Sequence, residues 1–157
     1  DSRFTPSSKA ELATGQAIYD LRIEEIVNTI QQNLFIIQAE LAGSADKTIK
    51  EEKLRAVEKI IADIEKELPP IKSFFISGGT ELAALFDIAR TFARRAERRV
   101  VAVVDAGDPS SAKAAEGERK IGEWSLAYLN RLSSLLYALA RYTNHKAGIK
   151  EQSPNYK

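Results

Sequence analysis

The chain has 157 residues, a formal net charge of +1, no cysteine, no methionine and a single histidine, His145. That length fits one domain, and the balanced charge argues against a dedicated DNA-binding surface. The composition excludes disulfides, thiolate metal centres and a His-rich metal site, and it leaves a Ser-His-Asp triad close to excluded.

No apolar run approaches the roughly 18 residues needed to span a bilayer, and no signal peptide is visible. A cytoplasmic protein with neither nucleic-acid nor membrane partners is expected. The chain begins at Asp1 rather than at methionine. Either a processed start or further residues upstream is the expectation.

The first predicted helix opens at Ser7 or Ser8, with Glu11 at capping-box spacing from Ser8, and runs through Leu12, Gln16 and Tyr19. Around Asp20 it either continues or breaks. The second segment carries Ile23, Ile26, Val27, Ile30, Leu34, Ile37 and Leu41 at gaps that trace one helical face, with Gly43 as its stop. The third follows Asp46, carries Leu54, Val57, Ile60, Ile61, Ile64 and Leu68, and ends at Pro69-Pro70. A short apolar stretch, 71–76, meets the turn Ser77-Gly78-Gly79-Thr80, and Thr80 is a good N-cap for the fourth helix. Val100 to Val104 read as the end of that helix, since no second strand is present to pair with them.

A Gly/Ser/Ala-rich loop covers 106–117, and a fifth segment carries Ile121, Trp124, Tyr128, Leu132, Leu135, Leu136 and Leu139. The tail from Asn144 is polar and expected to be loose. The pattern is an all-α, up-and-down bundle of four or five long helices, with one domain over 1–148 and a polar tail over 149–157.

Three features carry chemistry. Arg90, Arg94 and Arg98 recur every four residues, with Arg95, Glu97 and Arg99 beside them. On a helix the first three form a column whose charges repel unless anions or carboxylates sit among them. Guanidinium forks match phosphate oxygens, so a polyphosphate is one natural counter-charge. A solvated basic face, or pairing with acids on neighbouring helices, is the other reading. Gly78-Gly79 before a helix lets backbone approach a ligand, or forms an ordinary turn; no Gly-Lys-Ser/Thr follows, so it is not a P-loop. Asn130 and Arg131 interrupt the apolar pattern of the last helix, either to face solvent or to hold a ligand such as a nucleobase or ribose.

The order of these blocks resembles a known family. Glu67-Leu68-Pro69-Pro70, Phe74-Phe75-Ile76-Ser77-Gly78-Gly79-Thr80, Ala89-Arg90-Thr91 with Arg94-Arg95-Ala96-Glu97-Arg98, Tyr128-Leu129-Asn130-Arg131-Leu132-Ser133 and Leu139-Ala140-Arg141 are similar to PduO-type ATP:corrinoid adenosyltransferases. The resemblance implies a trimer of five-helix bundles with sites between subunits. It implies ATP, Mg²⁺ and a corrinoid such as cobalamin as ligands, with a cobalt reductase as a possible partner. The adenosyl group of ATP would pass to Co(I), which is itself the nucleophile.

By the same resemblance, Arg90, Arg94, Arg95, Glu97, Arg98 and Asn130 bind ATP, and Arg98 carries the triphosphate charge. Phe74 closes the corrinoid's lower face, next to Gly78 and Gly79. The chain departs from the family pattern at several points. The family's glycine-rich T-G-D-x-G-x-T loop is absent and would lie upstream of Asp1. Asp-Glu-Leu reads Ala10-Glu11-Leu12, removing the acid expected to pair with Arg94 across the interface and leaving Glu11 as a substitute. Leu-Ser-Asp reads Leu132-Ser133-Ser134, and a helix-four histidine is Asp87. A catalytically weakened homologue that carries or senses nucleotide or corrinoid is therefore the alternative to an active transferase.

Overall fold

The computed structural model describes residues 8–44, 46–106 and 121–156, with residues 8–18, Leu21 and Ala106 as backbone only. Four α-helices and no strand occur among the described residues: α1 (Ser8–Leu41), α2 (Glu51–Glu67), α3 (Glu81–Ala106) and α4 (Glu123–Lys146). The first two segments expected from the sequence form one 34-residue helix. No proline interrupts them, and Asp20 alone does not break a helix whose neighbours are good helix formers. Among these residues the count is four, within the four or five helices read from the sequence. The Gly/Ser/Ala-rich loop lies mostly outside them.

Several helix ends have a local chemical cause. α1 stops at Gly43, where φ is +96°, and the Gly43 and Ser44 amides donate back to the Glu40 and Ala39 carbonyls in a Schellman arrangement. α2 starts with Glu51 and Glu52 and ends with Lys66, charges that oppose the helix dipole. Thr80 caps α3 as expected, its hydroxyl accepting from the Ala83 amide at 3.1 Å. Val100–Val104 continue α3, again as the sequence predicts.

Cross-helix contacts fix the topology. Tyr19 bonds Thr143, Asn33 bonds Tyr128 and Glu40 bonds Ser125, so α1 and α4 run antiparallel. Arg22–Glu67 and Lys53–Asn33 make α1 and α2 antiparallel. Asn144–Thr80 and Asn130–Glu97 do the same for α3 and α4. The chain therefore alternates up and down, as read from the sequence.

α4 lies at the centre. Tyr128, Leu132, Leu135, Leu136 and Leu139 are buried against Ile23, Ile26, Ile30 and Ile37 of α1, Val57, Ile61 and Ile64 of α2, and Phe86 of α3. Each such side chain contributes roughly 1.5–3 kcal/mol of transfer free energy. The buried Asn33 side chain is matched inside this core. Asn33 donates to the Tyr128 hydroxyl at 3.1 Å and accepts from Lys53 at 2.8 Å.

The tail differs from the sequence expectation. Asn144 is buried within α4, and the residues after the helix fold back over its end. Gln152 accepts from the Ile76 amide at 2.8 Å, and the Ser73 and Ser153 hydroxyls are 2.6 Å apart. Arg141, 5% exposed, donates to both carboxylate oxygens of Glu151, at 2.7 and 2.9 Å. Polar composition signalled solvent, but these polar groups are used to dock the tail.

Candidate functional site

α3 has two chemically distinct sides. Ala83, Phe86 and Ala93 face the core, while Arg94, Arg95, Arg98 and Arg99 are exposed. Helical spacing stacks Arg90, Arg94 and Arg98 along one edge of a shallow basin of about 640 Å³, which Arg95 and Arg99 also line. Among the described residues, none of these five arginines forms an ion pair, and no carboxylate lines the basin. Arg90 lies over the Tyr137 ring at 5.1 Å and Arg95 over Phe92 at 5.6 Å. Aromatic faces support the guanidiniums without neutralising them. Such a surface attracts a multiply charged anion.

Glu97 and Asn130 come together across α3 and α4, the Asn130 amide donating to the Glu97 carboxylate at 2.7 Å. Glu97 keeps a second oxygen, and it is the carboxylate next in sequence to Arg98. Arg131 turns the other way, toward Glu58 at 3.6 Å. Glu11, the sequence candidate for a partner of Arg94, and Ala10 lie on α1 with side chains outside the described residues.

A second cleft, of about 630 Å³, opens beside the first. Its walls are the 71–79 segment, Asp87 and Arg90 of α3, the end of α4 from Tyr137 to Asn144, and residues 149–152. Phe74 projects at its rim and is 80% exposed. Ile71 and Ile76, also exposed, line the same cleft, so its mouth carries an apolar patch rather than one isolated ring. Phe75, ambiguous in the sequence, is half-buried beneath Arg141, 5.1 Å from its ring. Burial raises the Tyr137 hydroxyl above its ordinary pKa, and it stays neutral at the cleft wall.

The turn beside Phe74 needs its glycines. Gly78 and Gly79 have φ of +110° and +106°, and a Cβ on Gly79 would lie 2.3 Å from the Asn144 side chain. Asp87, noted in the sequence only as a departure, accepts the Gly78 amide at 2.8 Å.

The two cavities share one lining residue. Arg90 lines both, and it also lines a smaller recess of about 240 Å³ shared with Arg94, Arg131, Ser134 and Arg141. The structure thus brings Phe74, Gly78 and Gly79 together in one cleft and the arginines together in the adjoining basin. Sequence reasoning assigned no role to Tyr137, Arg141, Asn144 or Glu151. A usable signal existed for Arg141 alone: a charge embedded between Leu139, Ala140 and Tyr142 on a buried helix demands a partner. Among the described residues no group of three or more His, Cys, Asp or Glu residues forms a metal site, and no helix is long and apolar enough to cross a membrane.

Three comparisons bear on these clefts. The family profile described as cobalamin adenosyltransferase matches residues 8–143. The corrinoid adenosyltransferase of Bacillus subtilis (strain 168) is 38% identical over 149 residues, covering 93% of this chain and 70% of that protein. The PduO corrinoid adenosyltransferase of Citrobacter freundii is 35% identical over 129 residues; the alignment covers 78% of this chain and 35% of that longer protein. Among solved structures, a variant PduO-type ATP:corrinoid adenosyltransferase from Lactobacillus reuteri, complexed with cobalamin and ATP, superposes with a TM-score of 0.71 at 30% identity. That match covers 83% of this chain and 69% of the other.

Proposed function

The chain belongs to the cobalamin adenosyltransferase family, and from that premise we infer its reaction: transfer of the 5′-deoxyadenosyl group of ATP to the cobalt of a reduced corrinoid, with release of triphosphate. It is an ATP:corrinoid adenosyltransferase. The observation that carries this reading is the pairing of an acid-free arginine basin with a Phe74 cleft through the shared side chain of Arg90. One cavity suits a polyphosphate and the other a broad, flat ring.

The chemistry asks little of protein acids and bases. The reduced cobalt of the substrate supplies an electron pair to the ribose 5′ carbon. A Co–C bond forms, the C5′–O bond breaks, and its electrons leave on the triphosphate. The protein's part is to align the two substrates and to stabilise the charge that builds on the leaving group. Arg94, Arg95 and Arg98 take the phosphates, with Arg98 the principal stabiliser of the leaving triphosphate, and Arg90 sits at the junction of the two substrates. Asn130, oriented by Glu97, contacts the nucleoside. Phe74 covers the corrinoid's lower face, with the Gly78-Gly79 turn beside it.

Mg²⁺ fits this surface in one manner only. It takes few protein oxygens when phosphates supply the rest, and Glu97 offers one carboxylate close to the arginine face. The ion would then travel with ATP rather than occupy a protein-built site.

A homotrimer with sites at its seams is part of the proposal. Leu85, Ile88 and Phe92 form an exposed apolar stripe on α3, at 54%, 54% and 61% exposure, next to the arginine basin. A neighbouring copy covering that stripe would also wall the basin, which is shallow in the single chain. The proposed location is the cytoplasm, with a cobalt-reducing partner.

The test is turnover. The protein, given Mg-ATP and chemically reduced cobalamin, is expected to yield a light-sensitive Co–C product and one triphosphate per turnover. Binding of both ligands with no such product rejects the transfer reaction.

A further inference from the structure

The Gly78-Gly79 turn is held by two side chains that sequence reasoning gave no role. Asp87 Oδ2 accepts the Gly78 amide at 2.8 Å. Asn144 Oδ1 accepts the Thr80 amide at 2.9 Å, and Asn144 Nδ2 donates to the Gly78 carbonyl at 2.7 Å. Reversing the Asn144 amide would set donor against donor and acceptor against acceptor, so the arrangement is specific to asparagine. The position a Gly79 Cβ would take lies 2.3–2.7 Å from three atoms of that amide, so the turn lies flat against it. Asn144 is 9% exposed, and its own carbonyl accepts the Ile149 amide at 2.9 Å, where the docked tail begins. One residue thus fixes the glycine turn, the start of α3 and the departure of the tail, and the first and last of these are walls of the Phe74 cleft.

We propose that Asp87 and Asn144 are positioning residues for the corrinoid alone, acting through the Gly78-Gly79 turn; the proposal rests on the transferase reading above. The two side chains consume the Gly78 and Thr80 amides. A carboxylate stands behind the first of them, so the turn does not act as a phosphate-binding nest. What it offers at Gly78, where a Cβ would meet nothing within 4 Å, is bare backbone, a surface suited to the face or edge of a large uncharged ring. Phosphate recognition is left to the arginine basin, on the other side of Arg90.

The experiment compares wild type, Asp87→Ala, Asp87→Asn and Asn144→Ala in steady-state assays varying each substrate in turn. Amide hydrogen exchange over residues 76–82 of the ligand-free protein is measured alongside. Asp87→Ala and Asn144→Ala are expected to speed exchange and to raise KM for the corrinoid about tenfold or more, with KM for ATP within about twofold. Asp87→Asn, which keeps an acceptor for the Gly78 amide, is expected to restore most of the corrinoid KM. Equal effects on both substrates, or accelerated exchange with an unchanged corrinoid KM, overturn the proposal while leaving the transferase reading intact. A wild-type protein that binds ATP but no corrinoid overturns both.

Discussion

Replacing each turn glycine by alanine separates backbone strain from collision. Gly78 and Gly79 share nearly the same left-handed φ, +110° and +106°. Gly78→Ala adds a methyl group into open space, with nothing within 4 Å. Its cost is conformational alone, about 1–3 kcal/mol. Gly79→Ala incurs the same strain and also drives a methyl group to 2.3 Å from Asn144 Oδ1. The amide must move, and its bonds to Thr80 and Gly78 are lost. At about 1 kcal/mol each, those bonds add roughly 2 kcal/mol. For a domain of this size that difference places Tm of Gly79→Ala about 4–8 °C below that of Gly78→Ala. Scanning calorimetry on the two variants measures it. Equal Tm values would refute the view that Asn144 braces the turn.

Three further outcomes follow from the same geometry. Arg98→Ala removes an exposed side chain with no ion-pair partner among the described residues, so Tm stays within about 1 °C while ATP affinity falls about tenfold to a hundredfold by titration calorimetry; unchanged affinity removes Arg98 from the phosphate site. Asn33→Ala strips the buried Tyr128 hydroxyl of its donor and lowers the unfolding free energy in urea by about 2–4 kcal/mol, where a loss under about 0.5 kcal/mol contradicts the assignment. Glu67 has its pKa lowered chiefly by the Lys146 ammonium, with Arg22 also bonded to it. A depressed carboxylate stabilises the fold above its unfolded pKa and loses that contribution as pH falls through the folded one. Glu67→Gln should therefore flatten the loss of stability below about pH 4.5, and an acid limb identical to wild type speaks against the Arg22–Glu67–Lys146 cluster as a stabilising unit.

The helices were legible because period and punctuation agree: the Ile23–Leu41 face, the Pro69-Pro70 stop and the Thr80 cap each have a local cause. The junction near Asp20 was ambiguous because whether a long helix breaks depends on what it packs against, and α4 lies along α1 from Tyr19 to Glu40. The arginine basin was visible as a spacing of four. The missing knowledge was where the acids are, which only the fold decides. The tail is largely exposed, as its polarity predicts, but its docking was not legible: Arg141 and Glu151 satisfy each other, and the Gln152 carbonyl accepts the Ile76 amide. The role of Asn144 depends on residues 66 positions apart meeting at one turn, and no local pattern encodes that.

The central claim is spatial: phosphates on the arginine face of α3, corrinoid over Phe74, and Arg90 between them. A crystal structure of the complex with a non-hydrolysable ATP analogue and cobalamin tests it directly. The account predicts triphosphate oxygens within hydrogen-bond distance of Arg94 and Arg98, and the corrin ring in contact with Phe74 and the Gly78-Gly79 turn. Triphosphate bound away from α3, or a corrin ring that leaves Phe74 in solvent, would contradict it.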